Sequence, residues 1–265
     1  QRPWRRVPPS VLLLLQIAAL AAIVAALARP FLLSTSSSGL NNVVLLDASA
    51  SMLATDVAPT RFEAARARVA QMIDAVEPGE SLALVSLDAQ PRVVAPPTGD
   101  RAQLHSALET LHPSNQSANL AAALSIAGSL AAGHADAQVT VVADGSLDQG
   151  QAPASSLPLP VRYIAVGSPN APNLAVTSLG TRVTDGRVSA VASVANTGSL
   201  ATSATLVLRV DGSRYDAKVL TIDPAGAATA EWDDLPANAH TLEAHLDQPD
   251  GLAIDNSAWA VLDGD

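Results

Sequence analysis

Asp47, Ser49 and Ser51 stand at alternate positions directly behind an apolar run, Val43-Val44-Leu45-Leu46. A carboxylate and two hydroxyls spaced two apart in a tight loop can converge on one hard divalent cation, which takes oxygen donors. Far downstream a second apolar run, Val139-Thr140-Val141-Val142-Ala143, ends in Asp144-Gly145. The rival reading of Asp47, Ser49 and Ser51 is an ordinary polar turn whose side chains bond local backbone donors. Catalysis finds less support. Ser49 as a nucleophile needs a histidine base, and none of the five histidines (His105, His112, His134, His240, His245) is placed beside it by the sequence. There is no H-E-x-x-H, no Gly-rich phosphate loop and no Gly-x-Ser-x-Gly elbow. The chain is expected not to be an enzyme.

The elements that position these residues alternate strand and helix. Residues 42–47, 82–87, 92–95, 138–143 and 161–166 read as strands, the third ending before Pro96-Pro97. Between them Thr60-x-x-Glu63 is a capping box, followed by Phe62, Ala65, Val69, Met72 and Ile73 at helical spacing. Asp100 can cap a helix bearing Leu104 and Leu108, and Leu120, Leu124, Ala127 and Leu130 mark another. This alternation predicts an α/β fold, a doubly wound and mostly parallel Rossmann-like sheet covered on both faces, over residues 40–167. Ligands of such sheets bind at the carboxyl ends of the strands, where both the Asp47 loop and Asp144 fall.

Beyond a hinge-like linker at 169–172 the period changes to two. Residues 174–182, 187–196, 205–210, 215–222, 227–232, 241–246 and 258–262 read as strands separated by turn-prone pairs such as Asp211-Gly212. Seven short strands predict a C-terminal antiparallel β-sandwich of immunoglobulin-like type over 172–265. Trp232 and Trp259 are expected in its core. Asp233, Asp234, Asp247, Asp250 and Asp255 lack the spacing of a calcium loop and read as solvated turns.

Residues 1–33 hold Arg2, Arg5, Arg6 and Arg29 without one acid, although the whole chain carries a net charge of −10. Residues 11–28 are apolar except for Gln16, long enough for a transmembrane helix near the short end of the range. The arginines ahead of it place the N-terminus in the cytoplasm and the remaining domains outside that membrane. A signal peptide is the alternative, since Ala26-Leu27-Ala28 mimics a cleavage site. An acidic body excludes nucleic acid as the expected partner. The absence of cysteine removes disulfides and thiolate metal sites.

The segments VVLLDASASM and VTVVADG together resemble the von Willebrand factor A domain and its metal-ion-dependent adhesion site. With the membrane run ending in ALARP, the chain more narrowly resembles bacterial BatA-type aerotolerance proteins. The resemblance implies that Ser49 and Ser51 touch a Mg2+ or Mn2+ ion directly and that Asp47 and Asp144 hold it through water. It also implies a threonine where this chain has Ala118. Ser117 offers a hydroxyl one position early, but its competing role, the N-cap of the following helix, is the better account. The function implied is a membrane-anchored extracytoplasmic module that engages an exposed Asp or Glu on a protein partner. Envelope complex assembly or stress tolerance is the implied setting, with a functional link to MoxR-type ATPases. The rivals are a metal-free scaffold of the same fold and the non-catalytic portion of a larger enzyme.

Overall fold

The apolar run before Asp47 supplies two cores at once. Successive side chains of a strand point to opposite faces, and Val44 and Leu46 enter one buried cluster while Val43 and Leu45 enter another. Helices therefore have to cover both faces of this strand. The computed structural model describes residues 11, 15–16, 18–20, 39–134, 136–145, 159–168, 171–184, 187–236 and 238–262. From Ser38 onward they form one unit.

Its first part is a five-stranded sheet of order β3-β2-β1-β4-β5, formed by β1 (Gly39–Asp47), β2 (Glu80–Leu87), β3 (Arg92–Thr98), β4 (Gln138–Ala143) and β5 (Val161–Ala165). β1 pairs in parallel with β2 and β4, and β4 with β5, whereas β3 runs antiparallel along β2. Helices α1 (Arg61–Asp74) and α2 (Arg101–Glu109) place Phe62, Ala65, Val69, Ile73, Leu104 and Leu108 against the Val44 face. Helix α3 (Leu120–Ala131) covers the Val43 face with Ala123, Leu124 and Ala127. The strand order reverses between β1 and β4, so the loops leaving these two neighbours diverge there and leave a crevice.

The helix starts follow local chemistry. Thr60 Oγ1 accepts from the Glu63 amide at 3.2 Å, and Asp100 Oδ1 accepts from Ala102 and Gln103. One strand limit differs from expectation: β3 continues through Pro96 and Pro97 to Thr98. It lies at the sheet edge, where a residue without an N–H costs no ladder bond.

The second part consists of two antiparallel sheets. β6 (Leu174–Thr184), β7 (Arg187–Asn196) and β10 (Ala227–Leu235) form one in the order β10-β7-β6; β8 (Thr202–Val210), β9 (Ser213–Ile222), β11 (Thr241–Leu246) and β12 (Ser257–Val261) form the other in the order β12-β11-β8-β9. One apolar cluster draws on both sheets: Val176, Ala192 and Trp232 from the first, Leu206, Leu208 and Leu242 from the second. Trp232 is buried, and its Nε1 donates to Asp216 Oδ2 at 2.9 Å. The expectation for Trp259 is overturned. It lies on the edge strand β12 opposite Glu243 and is 66% exposed, because its place in the period-2 pattern puts it on the outer face.

The transmembrane reading of residues 11–28 falls mostly outside the described residues. Those described there (11, 15–16 and 18–20) are helical. Among the described residues no helix is long and apolar enough to cross a membrane.

Candidate functional site

β1 ends at Asp47 and β4 at Ala143, so Asp47 and Asp144 leave neighbouring parallel strands at the same rim. The chain then turns sharply through a 3-10 turn, Ala50–Leu53, which carries Ser51 and buries Met52. The Ser49 amide donates to Asp47 Oδ1 at 2.9 Å, and the Ser49 and Ser51 hydroxyls lie 3.2 Å apart. Asp47, Ser49 and Asp144 are all buried. Asp47 Oδ2 is also buried and has no hydrogen-bond partner among the described residues.

Burial of this kind penalises the charged carboxylate. It pushes the Asp47 carboxyl up to about 6; the Ser49 hydroxyl and amide pull it back, and the charges of Asp144 and Asp88 raise it again. The parallel pairing of β1 with β4 is what places the two chain segments together.

A third segment is tied to the same loop. The Ser114 amide donates to Ala48 O at 2.7 Å, and the Ala50 amide to Gln116 O at 2.9 Å. These bonds bring Ser117 and Asn119 into the wall of a cleft of about 770 Å³ that Ser49 and Ser51 also line. The N-cap role assigned to Ser117 is corrected: Asn119 caps α3, its side chain accepting from the Ala122 amide at 3.1 Å. An Asn directly before the first helical residue was a legible cap signal. Ser117 is therefore left facing the cleft beside Ala118.

The opposite wall comes from the second part of the chain. Leu252, Ile254 and Asp255, in and beside the 3-10 turn Ala253–Asp255, line the same cleft. Thr55 fastens this loop to the first part, its amide donating to Gly251 O at 2.8 Å. Asp250 shapes the loop by accepting from the Leu252 amide, the Asn256 side chain and the Leu174 amide. Asp250 is thus a structural acceptor rather than a solvated turn residue. The Asp255 carboxyl is pushed up to about 6, first by burial and then by the nearby Asp250 charge, against a hydrogen bond from Asn173.

Two further residues escaped sequence reasoning. Arg61 Nη1 donates to Asp144 Oδ2 at 3.1 Å, while Nε and Nη2 donate to Asp56 at 2.7 and 3.2 Å. Arg61 opens α1, a position where the helix dipole disfavours a cation. That misplaced charge was the available signal.

Residues 42–146 match the family model described as the von Willebrand factor type A domain. Over these residues the chain is similar to von Willebrand factor type A domains. Such A domains are a family of protein-interaction modules. The chain is 33% identical over 118 residues to a UPF0353 protein of Mycolicibacterium paratuberculosis (strain ATCC BAA-968 / K-10), covering 43% of this chain and 33% of the relative. The matched stretch thus spans about a third of that curated relative's length. Among solved structures, the chain is similar to BatB, a conserved hypothetical protein of Bacteroides thetaiotaomicron. The identity is 24% and the TM-score 0.45, with 50% of this chain and 69% of that one covered. It is also similar to an aerotolerance-related membrane protein from Bacteroides fragilis NCTC 9343, at 23% identity and a TM-score of 0.43, covering 56% and 74%.

The donor set at this rim fits a hard cation in kind: two hydroxyls and two carboxylates, one of which has a buried oxygen without a hydrogen-bond partner among the described residues. Among the described residues no three His, Cys, Asp or Glu side chains are grouped to hold a metal. Any ion here depends on the serines.

Proposed function

We propose that the chain is a non-catalytic protein-binding module whose A domain engages an acidic side chain of a partner through a Mg2+ or Mn2+ ion. Asp47, Ser49, Ser51 and Asp144 hold the ion, and Ser117 adds its hydroxyl in place of the one Ala118 lacks. The observation that carries this reading is Asp47 Oδ2, buried and without a hydrogen-bond partner among the described residues, beside two paired serine hydroxyls. An unsatisfied buried carboxylate oxygen is costly unless a cation or proton answers it. When bound, the ion supplies a positive charge that neutral hydroxyls do not cancel, and so attracts a carboxylate.

Residues 1–33 as a membrane anchor with an extracytoplasmic body, and the second part as a separate spacer or docking domain, belong to the same proposal. So do a role in envelope complex assembly or stress tolerance and a functional link to MoxR-type ATPases. These rest on the basic, apolar N-terminal sequence and on the BatA-type resemblance.

Calorimetric titration with MgCl2 and MnCl2, run on the wild type and on Asp47→Asn, tests the site. Saturable binding that the substitution abolishes supports it; identical isotherms for both proteins overturn it. A metal-free scaffold is the second reading, favoured by the ion pair that already neutralises Asp144.

A further inference from the structure

Arg61 carries three contacts to two carboxylates from a helix position that is electrostatically unfavourable for it. Its side chain is 13% exposed, that of Asp56 12% and that of Asp144 1%. Asp144 is one of the two acids at the rim of β1 and β4, so its Oδ2 already has a cationic partner. Asp47 Oδ2 has none. The candidate centre is therefore divided: an open half at Asp47, Ser49 and Ser51, and a half at Asp144 held by guanidinium.

We infer that Arg61 is an internal competitor for the cation, a tethered positive charge that must withdraw from Asp144 toward Asp56 when an ion is held there. This rests on the ion-site reading above. The geometry supplies the second resting place. Asp56 takes Arg61 Nε and Nη2 on its two oxygens, a fork-on-fork pairing that remains intact when Nη1 lets go. Asp56 is itself fixed, because its Oδ2 accepts from the Ser168 amide at 2.7 Å, just past β5. Two cations cannot share the Asp144 carboxylate without repulsion, so ion affinity and the Arg61–Asp144 contact are coupled. The same pairing lets the ion-free protein keep Asp144 buried without an unpaired charge.

The test uses the whole chain in three forms: wild type, Arg61→Met and Asp47→Asn. Mg2+ binding is followed by calorimetry, and the arginine Nε–H signal of Arg61 by NMR. Arg61→Met is expected to bind Mg2+ on the order of tenfold more tightly than wild type, the effect of removing one member of a coupled, part-buried charge pair. In the wild type, Mg2+ should shift the Arg61 Nε–H signal, and in Asp47→Asn it should not. Should Arg61→Met not fold, Arg61→Gln takes its place with the same expected sign.

Equal affinities, or wild-type binding that leaves the Arg61 signal unmoved, would overturn the competitor role while leaving the ion site standing. Binding by Arg61→Met alone supports it in its strongest form, with the arginine masking the centre completely. No binding by any form would remove the ion site, and the competitor role with it.

Discussion

Gly167 lies so close to Arg61 that a β-carbon on it would stand 2.6 Å from Arg61 Nε and 3.1 Å from Asp56 Oδ2. Its φ of +99° is one that other residues rarely adopt. The turn after β5 is thus moulded around the guanidinium that bridges Asp56 and Asp144. Gly167→Ala should lower stability by about 1–3 kcal/mol through backbone strain and displacement of Arg61. Urea unfolding measures this, and a change within 0.5 kcal/mol would show that the turn relaxes freely.

The Asp47 carboxyl gives the metal-free protein a pH dependence of defined sign. Its value is raised from 3.8 to about 6, so the folded chain holds this proton more tightly than the unfolded chain. The contribution is fully present below about pH 4 and is lost as pH rises through about 6, amounting to roughly 3 kcal/mol at most. Asp255 is raised to about 6 as well and acts in the same direction, weakened by its partial exposure. Asp47→Asn keeps an oxygen for the Ser49 amide and removes the charge. It should flatten stability between pH 4 and 6 and raise the melting temperature at pH 7 without added metal. Parallel wild-type and variant profiles would rule out burial of a charged Asp47.

The two tryptophans of the second part should behave oppositely. Trp232 fills the core shared by both sheets and is bonded to Asp216, so Trp232→Ala should cost about 3–5 kcal/mol. Trp259 is exposed on an edge strand, and Trp259→Ser should change stability by less than about 0.5 kcal/mol. Chemical denaturation of both variants checks the pair, and Trp259 fluorescence should be readily quenched by acrylamide.

Capping and ion binding separate at neighbouring positions. Asn119→Ala should cost about 1 kcal/mol by removing the acceptor for the Ala122 amide, while Ser117→Ala leaves stability nearly unchanged. Ala118→Thr restores the hydroxyl that the A-domain resemblance implies and should strengthen Mn2+ binding measured by EPR. Ser117→Ala should weaken it. No response to either change would place the third loop outside the ion's shell.

Much of this molecule was legible in one dimension. Val43 to Leu46 point alternately into two cores, so a run without polar residues had to be a strand covered on both faces, and Asp47 had to stand at its exit. Thr60 and Asp100 announced their helices because a cap is a local bond. The strand pattern of the second part was readable because period 2 and turn chemistry are local as well. What the sequence alone could not determine are relations between distant residues. The strand pattern already put Asp47 and Asp144 at carboxyl ends on one rim, but only the pairing of β1 with β4 made them neighbours, and the edge position of β12 left Trp259 in solvent. Arg61 reached Asp144 across 83 intervening steps of chain, and the loop at Leu252 came to wall the cleft. Charge pairing and burial depend on which elements become neighbours, and that neighbourhood is set by packing, which spacing along a chain does not encode.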